Sequence, residues 1–221
     1  MNERIRVEKS ILSENDKLAS EARRQFRDHS VVVLNLVSSP GAGKTSLLER
    51  TLKALRSEIR IGLIAGDVQT ENDAQRLLRA GGESVWPLVT GGACHLDARM
   101  VNTVLDGVDL SNLDVLFIEN VGNLVCPSSF DLGELMKVVL ISTAEGDDKP
   151  LKYPSMFRRS GLMVVNKTDL LGTSDFSMQR VVENARSINP DLEVIETSCR
   201  TGAGLEAWFE WLKRLLSPTK V

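Results

Sequence analysis

Apolar positions along the chain alternate between two patterns. Short runs rich in Val, Ile and Leu at 31–37, 61–65, 84–88, 115–119, 138–143, 162–166 and 193–195 predict buried strands. Between them, apolar residues at helical spacing predict helices over 45–56, 71–80, 97–105, 176–188 and 205–216. Residues 2–28 are highly charged but carry Ile5, Ile11, Leu12, Leu18, Ala22 and Phe26 at roughly helical spacing, which predicts an amphipathic helix. Its polar face mixes both signs instead of being basic, so the expected role is packing on the domain, not lying on a membrane. Apolar strands separated by amphipathic helices imply an α/β fold, a mostly parallel sheet with helices on both faces. The expected organisation is an N-terminal helix within 1–30 and one domain over 31–221. Residues 144–160 lack periodicity and are too long for an ordinary connection, which makes them a candidate functional loop.

The first predicted strand runs into Ser38-Ser39-Pro40-Gly41-Ala42-Gly43-Lys44-Thr45, with a helix-forming stretch after it. A strand, a Gly-rich turn and a helix in that order aim backbone N–H groups and a positive helix N-terminus at one point, a cradle for phosphates. Lys44 adds a cation and Thr45 a hydroxyl for Mg²⁺. The usual P-loop pattern has Gly where Ser38 stands, but Gly41 and Gly43 still allow close approach to phosphate. Ser39, Gly41, Ala42, Gly43, Lys44, Thr45 and Ser46 are the candidate phosphate contacts.

Two further signals follow in chain order. In Glu119-Asn120-Val121-Gly122 a carboxylate ends a buried strand three residues before a glycine, a Walker B strand in the form E-x-x-G. Glu119 is the candidate Mg²⁺ ligand, and the Gly122 N–H a candidate γ-phosphate contact. Asp67, at the end of another strand, either completes the Mg²⁺ shell, orients the attacking water or caps the helix that follows; Asp73 is a weaker candidate. Lys44, Asp67, Glu119 and Gly122 are thus the candidate catalytic set. Asn166-Lys167-Thr168-Asp169 matches N-K-x-D and names the base, because the Asp169 carboxylate can accept from both N1–H and the 2-amino group of guanine. Ser198, Cys199 and Arg200 occupy the position of a guanine-contacting loop. Asn123 stands where many GTPases place a water-orienting glutamine, and no arginine finger is assignable, so slow intrinsic hydrolysis is expected.

Composition narrows the reading. Lys and Arg number 27 against 30 Asp and Glu, a net charge of −3 with the signs interspersed, so nucleic acid and anionic membrane are not expected partners. Nothing approaches the roughly 18 consecutive apolar residues of a membrane span, and the start has no signal-peptide core, so a cytoplasmic protein is expected. Three cysteines make no disulfide framework. Two of them change the picture: Cys94-His95 follows the third strand and Cys126 follows the Walker B strand, both at carboxyl ends of strands. Two thiolates and an imidazole suit Ni²⁺ or Zn²⁺, although buried cysteines more often only pack.

These motifs, together with Gly66-Asp67-Val68-Gln69-Thr70, Cys94-His95-Leu96-Asp97-Ala98 and the stretch Glu145-Gly146-Asp147-Asp148-Lys149-Pro150-Leu151-Lys152-Tyr153-Pro154, closely resemble the HypB family of hydrogenase nickel-incorporation GTPases, of the SIMIBI class. The resemblance runs over nearly the whole chain from Val31. It implies a GTP-driven accessory protein that loads nickel into a nickel–iron hydrogenase, working with other maturation proteins and the hydrogenase large subunit. It also implies a metal site of Cys94, His95 and Cys126, and a homodimer promoted by nucleotide and metal. In that reading the γ-phosphate orders the loops and the dimer face, and hydrolysis releases them. Some members carry an N-terminal cysteine motif or a His-rich tract; residues 1–30 hold no cysteine and only His29, so metal is expected to pass through the Cys94 site. The urease accessory family UreG is the neighbouring alternative, but it has Cys-Pro-His where Cys94-His95-Leu96 stands here. A metal-independent regulatory GTPase and a small-molecule kinase are the competing classes.

Overall fold

A computed structural model describes residues 3–173 and 175–217, with the side chains of 3–9, Ile5 among them, outside the description. Seven strands form one all-parallel sheet in the order β3-β2-β4-β1-β5-β6-β7. They are β1 (Val32–Ser38), β2 (Ile61–Asp67), β3 (Ser84–Val89), β4 (Val115–Glu119), β5 (Met136–Ser142), β6 (Ser160–Asn166) and β7 (Glu193–Glu196). The helices are α1 (Glu3–Asp28), α2 (Lys44–Leu55), α3 (Asn72–Arg79), α4 (Ala98–Leu105), α5 (Lys149–Lys152), α6 (Pro154–Arg158), α7 (Met178–Ile188) and α8 (Leu205–Leu216).

The two-residue period of a strand sends neighbouring side chains to opposite faces, so the central strands are apolar throughout because both faces are covered. Leu34 and Leu36 of β1 pack with Leu47, Leu48, Trp208 and Leu212 of α2 and α8. Val33 points the other way, into a cluster with Ala22 and Phe26 of α1 and Val101 and Leu105 of α4. Val37 joins a third cluster with Val139, Met156, Phe157 and Val181, under α6 and α7. The edge strands β3 and β7 are only partly buried, and β3 accommodates Pro87, a residue restricted to sheet edges because it cannot donate to a ladder on both sides.

Element ends shift by a residue or two at several places, and three departures from the sequence expectation bear on the site and its support. Strand β5 begins at Met136, two residues early, because Lys137 pairs in register with Asn35 and is buried against Glu134. A lysine at that position reads as lying outside the strand until its partner is seen. Residues 144–160 are not one long loop: they contain α5, α6 and the first residue of β6. Helix α7 starts at Met178, because the Ser177 hydroxyl accepts the Arg180 N–H and stops the helix there.

Polar side chains seat α1. The Asn15 amide donates to the Asp131 carbonyl at 2.9 Å and its oxygen accepts the Ala98 N–H at 2.8 Å, while Arg23 makes a two-pronged ion pair with Asp131. Asn15 is 5% exposed, so truncating it leaves two buried backbone groups without partners. Asn15→Ala is expected to lower stability by about 2 kcal/mol, read as a fall in the urea midpoint at constant slope. A change below about 0.5 kcal/mol, the range of ordinary surface substitutions, would show that α1 is not seated this way.

Candidate nucleotide and metal sites

Parallel pairing brings the carboxyl ends of the strands to one edge. Leu36 of β1 lies opposite Glu119, which lies opposite Ala65 of β2, and Ser142 of β5 lies opposite Asn166 of β6. A cleft of about 880 Å³ opens along this edge. Of the residues singled out in the sequence, Gly41, Gly43, Lys44, Thr45, Ser46, Asp67, Glu119, Gly122, Asn166, Lys167, Asp169, Cys199 and Arg200 line it. Ser39, Ala42 and Ser198 do not line it, but Ala42 and Ser198 bond to Asn166 and Asp169, which do.

The turn between β1 and α2 has Gly41 at φ 73° and Gly43 at φ 108°, the left-handed region that favours glycine. A Cβ on Gly43 would also sit 2.3 Å from the Asn166 amide nitrogen, which donates to the Ala42 carbonyl at 2.9 Å. The N-K-x-D asparagine, which also lines the cleft, therefore braces the phosphate turn. Lys44 is 8% exposed and donates to the Ser38 hydroxyl at 2.9 Å; burial lowers its pKa, opposed chiefly by the charge of Glu119. The serine in place of the usual glycine thus holds the lysine amine.

Glu119 accepts from the Thr45 hydroxyl at 2.7 Å through Oε1, while its buried Oε2 has no hydrogen-bond partner among the described residues. Burial pushes the Glu119 carboxyl up to about 7, against the pull of Lys44 and Thr45. A buried carboxylate oxygen without a donor, beside a threonine hydroxyl, is a donor set that fits a hard divalent cation. Asp67 does not cap α3, whose N-cap residue is Glu71. Its Oδ1 accepts from the N–H groups of Gln69 and Thr70 at 2.9 and 2.8 Å, and these bonds hold its pKa below the usual carboxylate value despite partial burial. A Cβ on Gly122 would lie 3.0 Å from the Pro40 Cα, so the end of β4 abuts the phosphate turn.

At the other end of the cleft, Asp169 accepts from Ser198 Oγ at 2.5 Å, and Lys167 adopts φ 62° to start the short helical turn carrying it. Arg50 of α2 donates to the carbonyls of Cys199 and Arg200 at 2.8 and 3.1 Å, and the Cys199 N–H donates to Asn166 Oδ1 at 3.1 Å. Cys199 itself belongs to the core, and burial pushes its thiol up to about 11.

Cys94, His95 and Cys126 come together although 32 residues separate the cysteines. The two sulfurs are 3.2 Å apart, His95 Nδ1 is 3.8 Å from Cys94 Sγ, and the three ligand atoms lie within 4.8 Å of one another. Their mutual hydrogen bond, then burial, raises the Cys94 thiol, while burial, opposed by the charge of Asp97, lowers the His95 imidazole and so favours its neutral form, in which one ring nitrogen can bind a metal. This loop is keyed to the cleft: a Cβ on Gly66 would meet both the Glu119 carbonyl and Leu96 Cδ1 at 2.8 Å, and Leu96 is fully buried.

Some residues of this edge carried no assigned role in the sequence. Lys149 of α5 donates to the Ser39 hydroxyl at 3.0 Å and pairs with Glu145, placing a second cation against the phosphate turn. Arg76 lines the cleft, held by Glu49 and Asp73, with Asp73 beside it on the wall. Asn123 donates to the Cys94 carbonyl at 3.1 Å, beside the cluster of Cys94, His95 and Cys126. The signal for Lys149 was its place within the Lys-Pro-Leu-Lys-Tyr-Pro stretch; nothing local marked Arg76.

Comparison with known proteins agrees with this geometry. The family model described as CobW/HypB/UreG, nucleotide-binding domain, matches residues 32–196. A hydrogenase maturation factor HypB of Rhizobium leguminosarum is 51% identical over 209 residues, covering 95% of this chain and 70% of that protein. The chain belongs to the HypB family. Among solved structures, the HypB of Archaeoglobus fulgidus superposes with a TM-score of 0.86 at 40% identity, covering 93% of this chain and all of that one. The Helicobacter pylori HypB, crystallised in complex with nickel, gives a TM-score of 0.86 at 38% identity, covering 92% and 95%. The family carries a P-loop GTPase fold, in keeping with the all-parallel sheet and the turn at 38–45. Among the described residues no helix is long and apolar enough to cross a membrane.

Proposed function

We propose that the chain hydrolyses GTP to GDP and phosphate, slowly on its own, and uses that cycle to carry nickel to a nickel–iron hydrogenase. The carrying observation is the placement of a Cys94–His95–Cys126 cluster on the same sheet edge as phosphate-facing and base-facing groups, with Leu96 wedged against Gly66 and Glu119. The family's hydrogenase maturation role, and the nickel of the Helicobacter pylori relative, support nickel as the cargo. Zn²⁺ suits the same donors. Working partners are then the hydrogenase large subunit and its other maturation proteins, in the cytoplasm.

In this reading the N–H groups of the 39–45 turn and Lys44 bind the phosphates, and Gly122 meets the γ-phosphate. Thr45 and Glu119 hold Mg²⁺ with Asp67 at hand. When bound, that ion neutralises charge on the β- and γ-phosphates. Asp169 reads the guanine edge, positioned by Ser198, while the loop at Cys199 and Arg200 closes over the base. With three protein ligands, the metal cluster is one short of a closed tetrahedral site, which suits a cargo that must be handed on, or a site shared by two copies.

Base selection gives a direct test. Asp169→Asn is expected to weaken GTP by at least about 2 kcal/mol, roughly thirtyfold in Kd, because two hydrogen bonds to a carboxylate are lost. The same variant is expected to admit xanthosine triphosphate, whose 2-oxo group accepts from the new amide. Titration with fluorescent nucleotides reads both effects. Equal affinity of the unmutated protein for ATP and GTP would remove the assignment.

A further inference from the structure

Strand β1 carries an asparagine, Asn35, in the middle of an otherwise apolar run, and it is fully buried. Its Nδ2 donates to Glu134 Oε1 at 3.2 Å, and its Oδ1 accepts from Asn120 Nδ2 at 3.2 Å. Asn120, the residue after Glu119, uses its own Oδ1 to accept the Leu96 N–H at 3.2 Å. In the other direction Glu134 is paired with Lys137, their side chains 5% and 7% exposed. Glu134 Oε2 accepts the Leu132 N–H at 2.6 Å, and Lys137 donates to the Phe130 carbonyl at 2.9 Å. The Phe130 ring lies 4.0 Å from the imidazole of His95, centroid to centroid. The chain of contacts therefore starts at the peptide N–H that follows His95 and ends against its ring.

Burying a lysine and a glutamate costs several kcal/mol of lost hydration per ion, and a well-packed apolar pair of the same volume does as well or better for stability. Neither residue faces the cleft. What the pair does accomplish is geometric: it fixes the segment between Cys126 and β5, and with Asn35 and Asn120 it ties that segment to the backbone beside His95. Cys94, by contrast, is exposed and follows Gly91 and Gly92, both at positive φ.

We propose that Asn35, Asn120, Glu134 and Lys137 are positioning residues for His95, holding its imidazole against Cys94 and Cys126 so that the metal meets a preset imidazole beside the more exposed Cys94 thiol. The inference rests on the reading of Cys94, His95 and Cys126 as a metal site. Ligands held in place beforehand bind more tightly, because less ordering is left for the metal to impose, and loss of such outer support typically costs ten- to a hundredfold in affinity.

The test uses the full chain with Ni²⁺ for affinity and Co²⁺ as a spectroscopic probe, whose absorption bands report ligand number and geometry. The volume-matched double variant Glu134→Gln/Lys137→Met is expected to weaken Ni²⁺ roughly ten- to a hundredfold and to alter the Co²⁺ bands, with affinity for a GTP analogue unchanged. Phe130→Leu, at a half-buried position that should fold regardless, is expected to shift the Co²⁺ bands in the same direction. Unaltered Ni²⁺ affinity and Co²⁺ bands in the folded double variant would overturn the proposal. Should the double variant not fold, the same unaltered result in Phe130→Leu and Asn35→Ala would overturn it. A Cys94→Ala variant separates the two failures: if it binds metal like the unmutated chain, the metal-site reading itself falls.

Discussion

Lys44→Ala is expected to abolish measurable GTP hydrolysis while the protein stays folded. The loss of rate follows from the chemistry of phosphoryl transfer, in which charge spreads over the transferring phosphoryl group and catalysis depends on cations fixed beside it. Lys44 is preset for that role by its bond to Ser38 and by the opposing charge of Glu119. Removing one such preorganised donor typically costs about 3 kcal/mol or more, at least a hundredfold in kcat. The fold should survive because burial already disfavours the charged amine, so deleting it relieves a desolvation cost. Circular dichroism checks the fold and released phosphate checks the rate. Lys149 sits against Ser39 of the same turn, so a partial rate in Lys44→Ala that vanishes in the Lys44→Ala/Lys149→Ala pair would assign the residue of activity to it. Hydrolysis by Lys44→Ala at the unmutated rate would show that the phosphates lie elsewhere.

The second large effect is on assembly. If the cluster of Cys94, His95 and Cys126 lacks a fourth ligand, and if its loop moves with the γ-phosphate through Leu96, Gly66 and Glu119, then metal and GTP should each promote the same homodimer. Linkage makes the effect reciprocal: a metal that tightens the GTP-bound dimer must itself bind that dimer more tightly. Light scattering with Ni²⁺, a GTP analogue, both or neither is expected to show the highest dimer fraction with both. Cys94→Ala and Cys126→Ala should each lose the metal response and keep the nucleotide response. Identical metal binding and dimerisation in both variants and the parent would reduce the three residues to packing, leaving the GTPase proposal intact.

Much of this was legible before any coordinates. The 38–45 turn, the E-x-x-G end of β4 and the N-K-x-D after β6 are local: each needs only a strand, a short loop and a few residue types in fixed order, and strand termini of a parallel sheet necessarily share an edge. The alternation of apolar strands and amphipathic helices likewise gave the layered architecture, because each element must cover its apolar face with another.

What the linear order left open were the roles of polar residues whose partners are far away in sequence. Asp67 was divided between capping a helix and facing the cleft, and only its bonds to Gln69 and Thr70, with Glu71 at the helix start, separate the two. Asn166, known from the sequence only as part of N-K-x-D, also braces the Ala42 carbonyl across 124 residues. Lys137, just outside the strand expected from Val138, lies inside β5 because Glu134 is there to neutralise it. Hydrophobic burial repeats with the period of the element and so is written along the chain, whereas a buried polar atom must be matched individually by a partner in three dimensions. The sequence by itself therefore determined the sheet, its two covered faces and the edge where the chemistry gathers. The tertiary structure decided which polar groups meet there: Thr45 with Glu119, Lys149 with Ser39, and His95 with the buried chain that closes on it through Asn120 and Phe130.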